Sequence, residues 1–410
     1  MSAKILFLLK ETPKVEPLGI MYLSAALQAE GHMVAVGYGM DHEALIGAPD
    51  YIAYSVMTGD RDYFLGLNRM LKERYKFVSV FGGPDPTFFP EGYRDEPGVD
   101  AFVRGEGEDA FPALIRDNLD GEIIGYPVNI NDIPHPDRTH FSRGGIQHFM
   151  ASRGCPFSCT YCFNSKWKSL FEDRRVRYRN VSDLCTEIYK TNPSFVYFQD
   201  DCFGSSRKWL KRFVREYDGF SYHCHLRADT LDNEYVSLLG KSGCYSVHVA
   251  LETADEAYRK KMLGRHMANK TIIEACAKLK DAGIKIMLQN MIGLPGTTIN
   301  DDLDTLLVNI AIKPDYAWCS IYQPYPGTVL GDYCYKKGLV RGGFKPSFFE
   351  TSPLTFNPNH IRQLEVLQKE FAVSVKNAEM PYLLTPQAAV KRMYDRERAA
   401  ADKILYRGMI

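Results

Sequence analysis

Three cysteines lie close together in the stretch GCPFSCTYCFN, residues 154–164. The spacing Cys155-x3-Cys159-x2-Cys162 is too tight to place three thiols on one face of a helix, but it suits a loop that wraps an iron–sulfur cluster. A structural zinc site would use four ligands in a closed tetrahedron, and no fourth cysteine is nearby. Three thiolates on a four-iron cluster leave one iron open to a substrate or cofactor. The alternative interpretation is a zinc site that a distant histidine or cysteine completes.

The remaining cysteines do not form a second group. Residues 1–154 contain none of the ten, which argues against a secreted disulfide framework and favours reduced thiols. The other seven stand singly in apolar surroundings, and we expect them to be small buried residues. They are Cys185, Cys202, Cys224, Cys244, Cys276, Cys319 and Cys334.

Composition and charge are those of an ordinary globular protein. The 410 residues are 45% hydrophobic, and 50 basic side chains balance 50 acidic ones. This balance predicts no general attraction to nucleic acid or membrane. The basic stretch EDRRVRYRN, residues 172–180, is interpreted as a solvated face in preference to a nucleic-acid contact. No apolar run approaches the roughly 20 residues that cross a bilayer, and the N-terminal run KILFLLK predicts a strand and no signal peptide. We therefore expect a cytoplasmic protein.

Residues 1–125 alternate apolar runs with helical patterns, which predicts a Rossmann-like, doubly wound parallel sheet. The predicted strands are KILFLLK, MVAVGYG, DYIAYSVMTGD, FVSVFGGPDPT and VDAFVRG. In such sheets ligands bind beyond the carboxyl ends of the strands. Polar or glycine-rich segments occur at four of these ends: Lys10 to Thr12, Ser55 to Thr58, Gly82-Gly83, and Gly105 to Glu108.

A proline-rich linker is predicted over 126–146, and a second α/β series follows over 147–335. Its six apolar segments predict a partial (β/α)6 barrel with its chemistry at the carboxyl ends of the strands. The predicted strands are IQHFMAS, FVYFQDD, SYHCHLR, SVHVALE, IKIMLQNMIG and YAWCSIYQ. Residues 336–410 are predicted to be mainly helical, including an ion-paired helix in KRMYDRERAAADKILYR.

Polar groups follow several strands of the predicted barrel. Asp200 and Asp201 end FVYFQDD, Arg227 ends HCHLR, and Glu252 ends VALE. The segment MIGLPGTT adds glycines that permit close backbone approach. A helix cap, an ion pair or a tight turn would explain these residues structurally. His223 and His225 are expected to line the barrel or its core.

The cysteine stretch resembles the Cys-x3-Cys-x-aromatic-Cys motif of the radical S-adenosylmethionine (SAM) superfamily. The resemblance covers residues 147–335 and implies a 4Fe–4S cluster on the three cysteines, with SAM bound to its open iron and cleaved to a 5′-deoxyadenosyl radical. It also implies SAM-binding positions at Tyr161, Asp200, Asp201, Arg227, Glu252, Gly293 and Pro295.

The resemblance extends to radical SAM enzymes with an N-terminal cobalamin-binding domain. It is carried by PLGIMYLSAAL, Ser55-x2-Thr58, VFGGPDPTFFPE, VRGEGEDAF and the linker DIPHPDR. The implied cobalamin-binding residues are Thr12, Ser55, Thr58, Gly82, Gly83, Gly105, Glu106, Gly107 and Glu108. No Asp-x-His-x2-Gly motif is present, and DHEALIG at 41–47 has different spacing, so no histidine ligand to cobalt is expected from such a motif. A Rossmann-like domain that binds a nucleotide or nothing is the alternative.

This layout predicts an oxygen-sensitive methyltransferase that methylates an unactivated carbon by way of methylcobalamin. The alternatives are a non-methylating cyclisation or rearrangement, and a corrinoid-binding or redox-sensing protein without turnover. A tRNA methylthiotransferase is disfavoured because residues 1–154 contain no cysteine. The expected partners are a reductant protein, flavodoxin or ferredoxin, and a protein or peptide substrate, for which a glutamine of methyl-coenzyme M reductase is one candidate. We expect a monomer.

Overall fold

Six parallel strands form a sheet in the N-terminal part of the computed structural model. The strand order is β2-β1-β3-β4-β5-β6, and every neighbouring pair is parallel. The strands are β1 (Lys4–Leu9), β2 (Met33–Tyr38), β3 (Tyr51–Ser55), β4 (Val78–Gly82), β5 (Ala101–Gly105) and β6 (Gly121–Gly125). The predicted doubly wound sheet is therefore confirmed.

Helices cover both faces of this sheet. They are α1 (Leu18–Ala29), α2 (Arg61–Lys72), α3 (Pro84–Phe88), α4 (Glu91–Arg94) and α5 (Gly107–Asp117). Phe7 packs edge-to-face on Phe111 of α5 in one core. On the other face, Tyr54 packs on Phe64 of α2 in a second core. The continuous apolar run of β1 serves both cores, as expected for a strand buried on both sides.

The structure describes residues 2–40, 47–141, 145–341 and 348–380. Two compact units can be distinguished. The first contains the described residues up to Phe149 together with Ser169–Asp173 and Arg177–Ser194. The second contains Met150–Lys168, Arg174–Val176 and the described residues from Phe195 onward. The predicted linker is thus part of the first unit, and the stretch that follows the cysteines is divided between the two.

The remaining strands include all six that the second α/β pattern predicts. They are β7 (Ile146–Phe149), β8 (Ser152–Arg153), β9 (Arg177–Tyr178), β10 (Phe195–Phe198), β11 (Tyr222–Leu226), β12 (Cys244–Glu252), β13 (Lys285–Ile292) and β14 (Tyr316–Ile321). Within the second unit the order β14-β13-β12-β11-β10 follows the chain, and all of these pairs are parallel. Their carboxyl ends therefore lie at one edge.

Helices connect these strands and continue beyond the last one. They are α6 (Phe163–Leu170), α7 (Val181–Thr191), α8 (Arg207–Glu216), α9 (Asn233–Lys241), α10 (Glu256–Lys261), α11 (Asn269–Asp281), α12 (Ile299–Ile312), α13 (Val329–Lys336) and α14 (Pro358–Asn377). A 3₁₀ turn spans Ala228–Thr230. Among the residues with described positions, no helix combines the length and apolar character needed to cross a bilayer.

Helix α14 packs against β14 and α12 in the second unit. Leu364 and Phe371 are fully buried in a core with Leu306 and Ile321. This confirms a helix in the predicted C-terminal region. The predicted helix KRMYDRERAAADKILYR, and His42 within DHEALIG, lie outside the described residues.

The basic stretch 172–180 differs from the expected solvated face. Arg179 is 2% exposed and is paired with Glu187 and Asp183. Arg177 donates to both carboxylate oxygens of Glu106, at 2.5 and 2.8 Å. The solvated-face interpretation was wrong for these two arginines. The partner of Arg177 lies 71 residues away in the sequence, and the partners of Arg179 lie beyond the stretch, one and two turns into the helix that follows.

Candidate active site

The cysteine loop joins β8 to α6 and is fixed by backbone hydrogen bonds. The amide of Thr160 donates to the carbonyl of Leu263 at 3.1 Å, and the carbonyl of Thr160 accepts from the amide of Leu330 at 2.9 Å. Contacts from two separate segments therefore hold the centre of the loop, between Cys159 and Cys162.

All three cysteines of the loop line one cavity of about 300 Å³ within the second unit. Burial raises the pKa of Cys155, and it raises that of Cys162 to about 11. Such thiols become thiolates only beside a cation such as a cluster iron. The other lining residues are Phe157, Tyr161, Asn164, Asp201, Cys202, His225, Leu226, Arg227, His248, Ala250, Glu252, Arg265 and Gln289.

Strand β12 presents its polar residues to this cavity because side chains alternate along a strand. Val247, Val249 and Leu251 are fully buried, whereas the cavity-lining residues are His248, Ala250 and Glu252. The register with β13 shifts between Ala250 and Glu252. Glu252 has φ +67°, an uncommon conformation for a residue with a side chain. A strained residue at a register shift in a cavity is typical of a functional position.

The carboxylate of Glu252 lies within a buried polar network. Tyr161 donates from its hydroxyl to Glu252 Oε1 at 2.5 Å. The nearest Arg265 nitrogen is 3.6 Å from the same carboxylate oxygen. Glu252 Oε2 is buried and has no hydrogen-bond partner among the described residues. Burial raises the pKa of Glu252, although Arg265 opposes this effect. The free oxygen is available to a ligand in the cavity.

Two arginines approach the middle cysteine. Nη1 of Arg227 lies 3.7 Å from Cys159 Sγ, and Nη1 of Arg265 lies 3.9 Å from it. Arg227 is held in place by Asp229, at 2.9 Å, and its guanidinium stacks 3.9 Å from the ring centroid of Phe157. Two guanidinium groups therefore lie within 4 Å of the Cys159 sulfur.

The two predicted aspartates have different surroundings. Asp200 is 1% exposed and accepts hydrogen bonds from the amide of Ala151, at 2.9 Å, and from the hydroxyl of Ser152. Burial raises the pKa of Asp200 to about 7. Asp201 is exposed and lines the cavity. Asp201 therefore faces the site, whereas the contacts of Asp200 tie β10 to the segment that precedes the cysteine loop.

The predicted glycine-rich segment does not line the cavity. Gly293 has φ +66°, and its amide donates to Asp302 Oδ1 at 3.1 Å. A Cβ added at Gly293 would lie 2.8 Å from Leu364 Cδ1. The carbonyl of Pro295 accepts from the hydroxyl of Tyr258 at 2.9 Å. The contacts of Gly293 and Pro295 are therefore structural in this conformation.

The predicted cobalamin residues lie at the carboxyl edge of the first sheet. Ser55 and Gly82 end the neighbouring strands β3 and β4 in register. Gly83 has φ +97°, and a Cβ there would lie 3.0 Å from the backbone of Val56. Thr58 Oγ1 is buried without a partner among the described residues. The bare backbone at Gly83 and the unpartnered hydroxyl of Thr58 could both contact a ligand bound at this edge.

Other residues of that predicted set have structural contacts. A Cβ at Gly105 would lie 2.0 Å from the carbonyl oxygen of Gly125 in β6. Glu106 binds the amide of Val128 at 2.7 Å and is paired with Arg177. A Cβ at Gly107 would lie 2.8 Å from Leu23. Glu108 is buried, and Thr12 is exposed beyond β1. Gly105 and Glu106 therefore connect the end of β5 to the end of β6 and to Val128, which follows β6.

Several cavity residues were not predicted from the sequence, and Arg265 and Phe157 are two of them. Arg265 lies in the loop between α10 and α11, and Phe157 lies between two of the cysteines. Neither follows a predicted strand, the position that indicated Asp201, Arg227 and Glu252. The position of Phe157 inside the motif was the only available clue for an aromatic partner of Arg227.

Two families of known proteins match separate parts of the chain. Residues 150–307 match the radical SAM superfamily, and residues 8–115 match the B12 binding domain. The chain combines a radical SAM domain with a B12-binding domain. These two matches confirm the predictions of an enzyme and of its cofactors, a 4Fe–4S cluster, SAM and cobalamin.

Three similar proteins indicate the range of relatives. "Uncharacterized methyltransferase PH0819" of Pyrococcus horikoshii is 24% identical over 92% of this chain and 90% of its own. The anaerobic magnesium-protoporphyrin IX monomethyl ester cyclase of Rubrivivax gelatinosus is 28% identical over 61% of this chain and 52% of its own. The structure of the radical SAM methyltransferase TsrM of Kitasatospora setae, with cobalamin and a 4Fe–4S cluster bound, has a TM-score of 0.68 at 16% identity and covers 88% of this chain and 82% of its own. This last similarity confirms the fold.

The residues present fit these cofactors. Three cysteines share a cavity with a buried, unpartnered carboxylate oxygen, as a cluster and a ligand with an amino group would require. The edge of the first sheet offers the Thr58 hydroxyl and the close backbone approach at Gly83.

Proposed function

We propose that this enzyme is a cobalamin-dependent radical SAM methyltransferase that transfers a methyl group from SAM to an unactivated carbon. The observation that carries the proposal is the cavity of the second unit. It joins three cysteines, the free oxygen of Glu252 and two arginines at Cys159. The B12-binding match over residues 8–115 adds a domain suited to a methyl carrier.

Each group in the cavity has a proposed role. Cys155, Cys159 and Cys162 hold the cluster. Glu252 and Asp201 accept hydrogen bonds from the amino and ribose groups of SAM, because their carboxylates line the cavity. Arg227 binds the carboxylate of SAM, since a guanidinium is the usual partner of that group.

Two further residues position Glu252. Tyr161 donates to one oxygen and thereby leaves the other available. Arg265 is 5% exposed and also donates to the carbonyl of Ala250 at 2.8 Å. Its fixed charge favours the ionised form of Glu252, which would otherwise be costly in a buried site.

We propose that cobalamin is bound by the carboxyl edge of the first sheet. Ser55, Thr58, Gly82 and Gly83 supply hydroxyls and an open backbone surface there. When bound, the cluster with SAM supplies a carbon-centred radical and cobalamin supplies a methyl carrier. The protein contributes the binding groups and excludes competing reactions.

The substrate proposal is a side chain of a protein or peptide, and the specific candidate is a glutamine of methyl-coenzyme M reductase. A cavity of about 300 Å³ is at the lower end of the range for small-molecule sites. A cluster and SAM would occupy much of this volume. A single side chain presented by a peptide needs less space than a large planar substrate does.

Cofactor retention and product analysis test the proposal. The protein is purified without oxygen, reconstituted with iron and sulfide, mixed with hydroxocobalamin and desalted. We expect a corrin spectrum near one per chain and, with substrate and reductant, both S-adenosylhomocysteine and 5′-deoxyadenosine. SAM cleavage without retained corrin would contradict methyl transfer by this route. 5′-Deoxyadenosine without S-adenosylhomocysteine would instead select the non-methylating alternative.

Matched variants sharpen both parts of the test. Thr58→Val removes the free hydroxyl and should reduce corrin retention, whereas Thr186→Val on the exposed side of α7 should not. For the substrate, a peptide carrying the glutamine should gain the mass of one methylene, and the same peptide with alanine should not. An unmodified glutamine peptide, with both SAM products formed on another substrate, would overturn only the substrate proposal.

A further inference from the structure

Three histidines meet on adjacent strands of the second unit. His223 and His225 lie on β11, and His248 lies opposite His225 in the register of β12. Each offers one nitrogen, and these nitrogens all lie within 4.8 Å of one another. The ring centroids of His225 and His248 are 5.1 Å apart. His225 and His248 also line the cavity that contains the cysteines.

The hydrogen bonds of these rings leave ring nitrogens free. His223 Nδ1 lies 2.7 Å from Ser246 Oγ, and His223 Nε2 is buried without a partner among the described residues. His223 is 6% exposed. His248 Nε2 is likewise buried and unpartnered within the described part of the chain. A buried polar atom without a partner is costly, so two in one cluster point to a missing ligand.

The third ring has partners on both nitrogens, and a bound ion would replace one of them. His225 Nδ1 lies 3.3 Å from the backbone carbonyl of Asp200, which fixes the proton on Nδ1. His225 Nε2 then accepts from the hydroxyl of Tyr197 at 3.1 Å. Partners on Nδ1 that leave Nε2 as a lone-pair donor are typical of metal-ligating histidines.

We propose that His223, His225 and His248 bind a divalent transition-metal ion such as zinc, separate from the iron–sulfur cluster. Imidazole is a preferred ligand of such ions, and three histidines leave a fourth coordination position open. Because His225 and His248 line the cavity, the open position faces the cavity and accepts an oxygen or nitrogen donor of the substrate. This goes beyond the proposed methyl transfer, which requires no such ion.

Only small movements are needed to form the site. Zn–N bonds of about 2.0–2.1 Å in a tetrahedron place ligand nitrogens roughly 3.3 Å apart. The nitrogens now lie within 4.8 Å of one another, so a bound ion would have to draw them closer by at most about 1.5 Å.

Cobalt(II) titration of a cluster-free protein tests this site. The full chain carrying Cys155→Ala, Cys159→Ala and Cys162→Ala cannot hold the cluster, so any ion must bind elsewhere. We expect one cobalt(II) per chain, with ligand-field bands of nitrogen coordination, and its displacement by one zinc. No saturable cobalt(II) binding would overturn the proposal, and so would a sulfur-to-cobalt charge-transfer band, which would indicate ligation by one of the seven remaining cysteines.

Histidine variants in the same background localise the ion. His223→Gln and His248→Gln should each weaken cobalt(II) binding by more than about tenfold, whereas the exposed His140→Ala should leave it unchanged. Ser246→Ala keeps all three ligands and should weaken binding by about tenfold, because His223 loses the partner of its Nδ1.

Circular dichroism checks that each variant is folded. Equal cobalt(II) affinity in the folded His248→Gln variant would overturn the proposal. The titration contains neither SAM nor cobalamin, so its outcome is independent of the proposed function.

Discussion

The hydroxyl of Tyr161 donates to Glu252 Oε1 across 91 residues of sequence, at a distance of 2.5 Å. The bond connects the cysteine loop to the end of β12. It also orients the carboxylate, so that the other oxygen remains without a partner in the described part of the chain. The aromatic position of the cysteine motif thus has a structural partner at a strand end.

Tyr161→Phe should destabilise the second unit. The substitution removes a hydrogen bond to a buried carboxylate, and we expect the free energy of unfolding to fall by about 1.5–3 kcal/mol. Urea unfolding at neutral pH measures the change. Tyr245→Phe is the matched control, since Tyr245 lies on β12 like Glu252 and its side chain is exposed, at 55%. A loss of equal size in both variants would show that the Glu252 contact contributes nothing specific.

Replacement of the loop cysteines should abolish cluster assembly. We expect Cys155→Ala, Cys159→Ala and Cys162→Ala each to lose most of the iron and sulfide bound after anaerobic reconstitution, because each removes one of three thiolates. Cys202→Ala is a strict control, since Cys202 lines the same cavity. Iron analysis and the visible absorption spectrum give the result. Loss of iron in Cys202→Ala alone would refute the ligand assignment.

Asp200 should make stability depend on pH. Its folded pKa of about 7 lies above the ordinary value of 3.8, so the folded state binds a proton that the unfolded chain has released. The resulting stabilisation is complete below about pH 4 and is lost as the pH rises through about 7. Relative to Asp200→Asn, the wild-type free energy of unfolding should therefore increase by about 3 kcal/mol from pH 8 to pH 5.

The neighbouring aspartate provides the control for this pH effect. Asp201→Asn should retain most of the wild-type pH dependence, because burial and not the charge of Asp201 is the largest cause of the raised pKa of Asp200. It should instead weaken SAM binding, because the exposed Asp201 lines the cavity. Urea midpoints at several pH values and equilibrium dialysis with SAM separate the two effects. Identical pH profiles for wild type and Asp200→Asn would contradict the assignment.

Gly293→Ala should cost more stability than Gly296→Ala. Both glycines have positive φ, but a Cβ at Gly293 would lie 2.8 Å from the fully buried Leu364, whereas a Cβ at Gly296 would meet nothing within 4 Å. Strain and overpacking together predict a loss of about 2–4 kcal/mol for Gly293→Ala, against about 1 kcal/mol for Gly296→Ala. Thermal unfolding compares the two variants. Similar losses would mean that α14 moves freely away from β13.

All strands of the two sheets except β6 could be predicted from sequence, because their apolar runs are bounded by glycine and polar residues. Strand β6, Gly121–Gly125, was missed because GEIIG is a short, half-exposed edge strand with little apolar pattern. Its pairing depends on the glycines at 105 and 125, where the two backbones lie too close for a side chain. That requirement is visible only in three dimensions.

The candidate site was predictable where a strand end carried the side chain. Glu252 and Arg227 line the cavity as expected. The separation of Asp200 from Asp201 could also have been anticipated, since Asp200 shares the strand face of the fully buried Val196 and Phe198. Arg265 had no such signal. Its role depends on where the loop after α10 brings it, which is a tertiary property.

Along β12, residues that pack in the core alternate with residues that line the cavity. Substitutions at Val247, Val249 and Leu251 act on folding, whereas those at Ala250 act on the volume of the cavity. Gln289, the register partner of Ala250 on β13, faces the same space. We therefore expect substitutions at these two positions to change the shape of the cavity with little penalty to the fold, so they are the positions at which to vary what the cavity accepts.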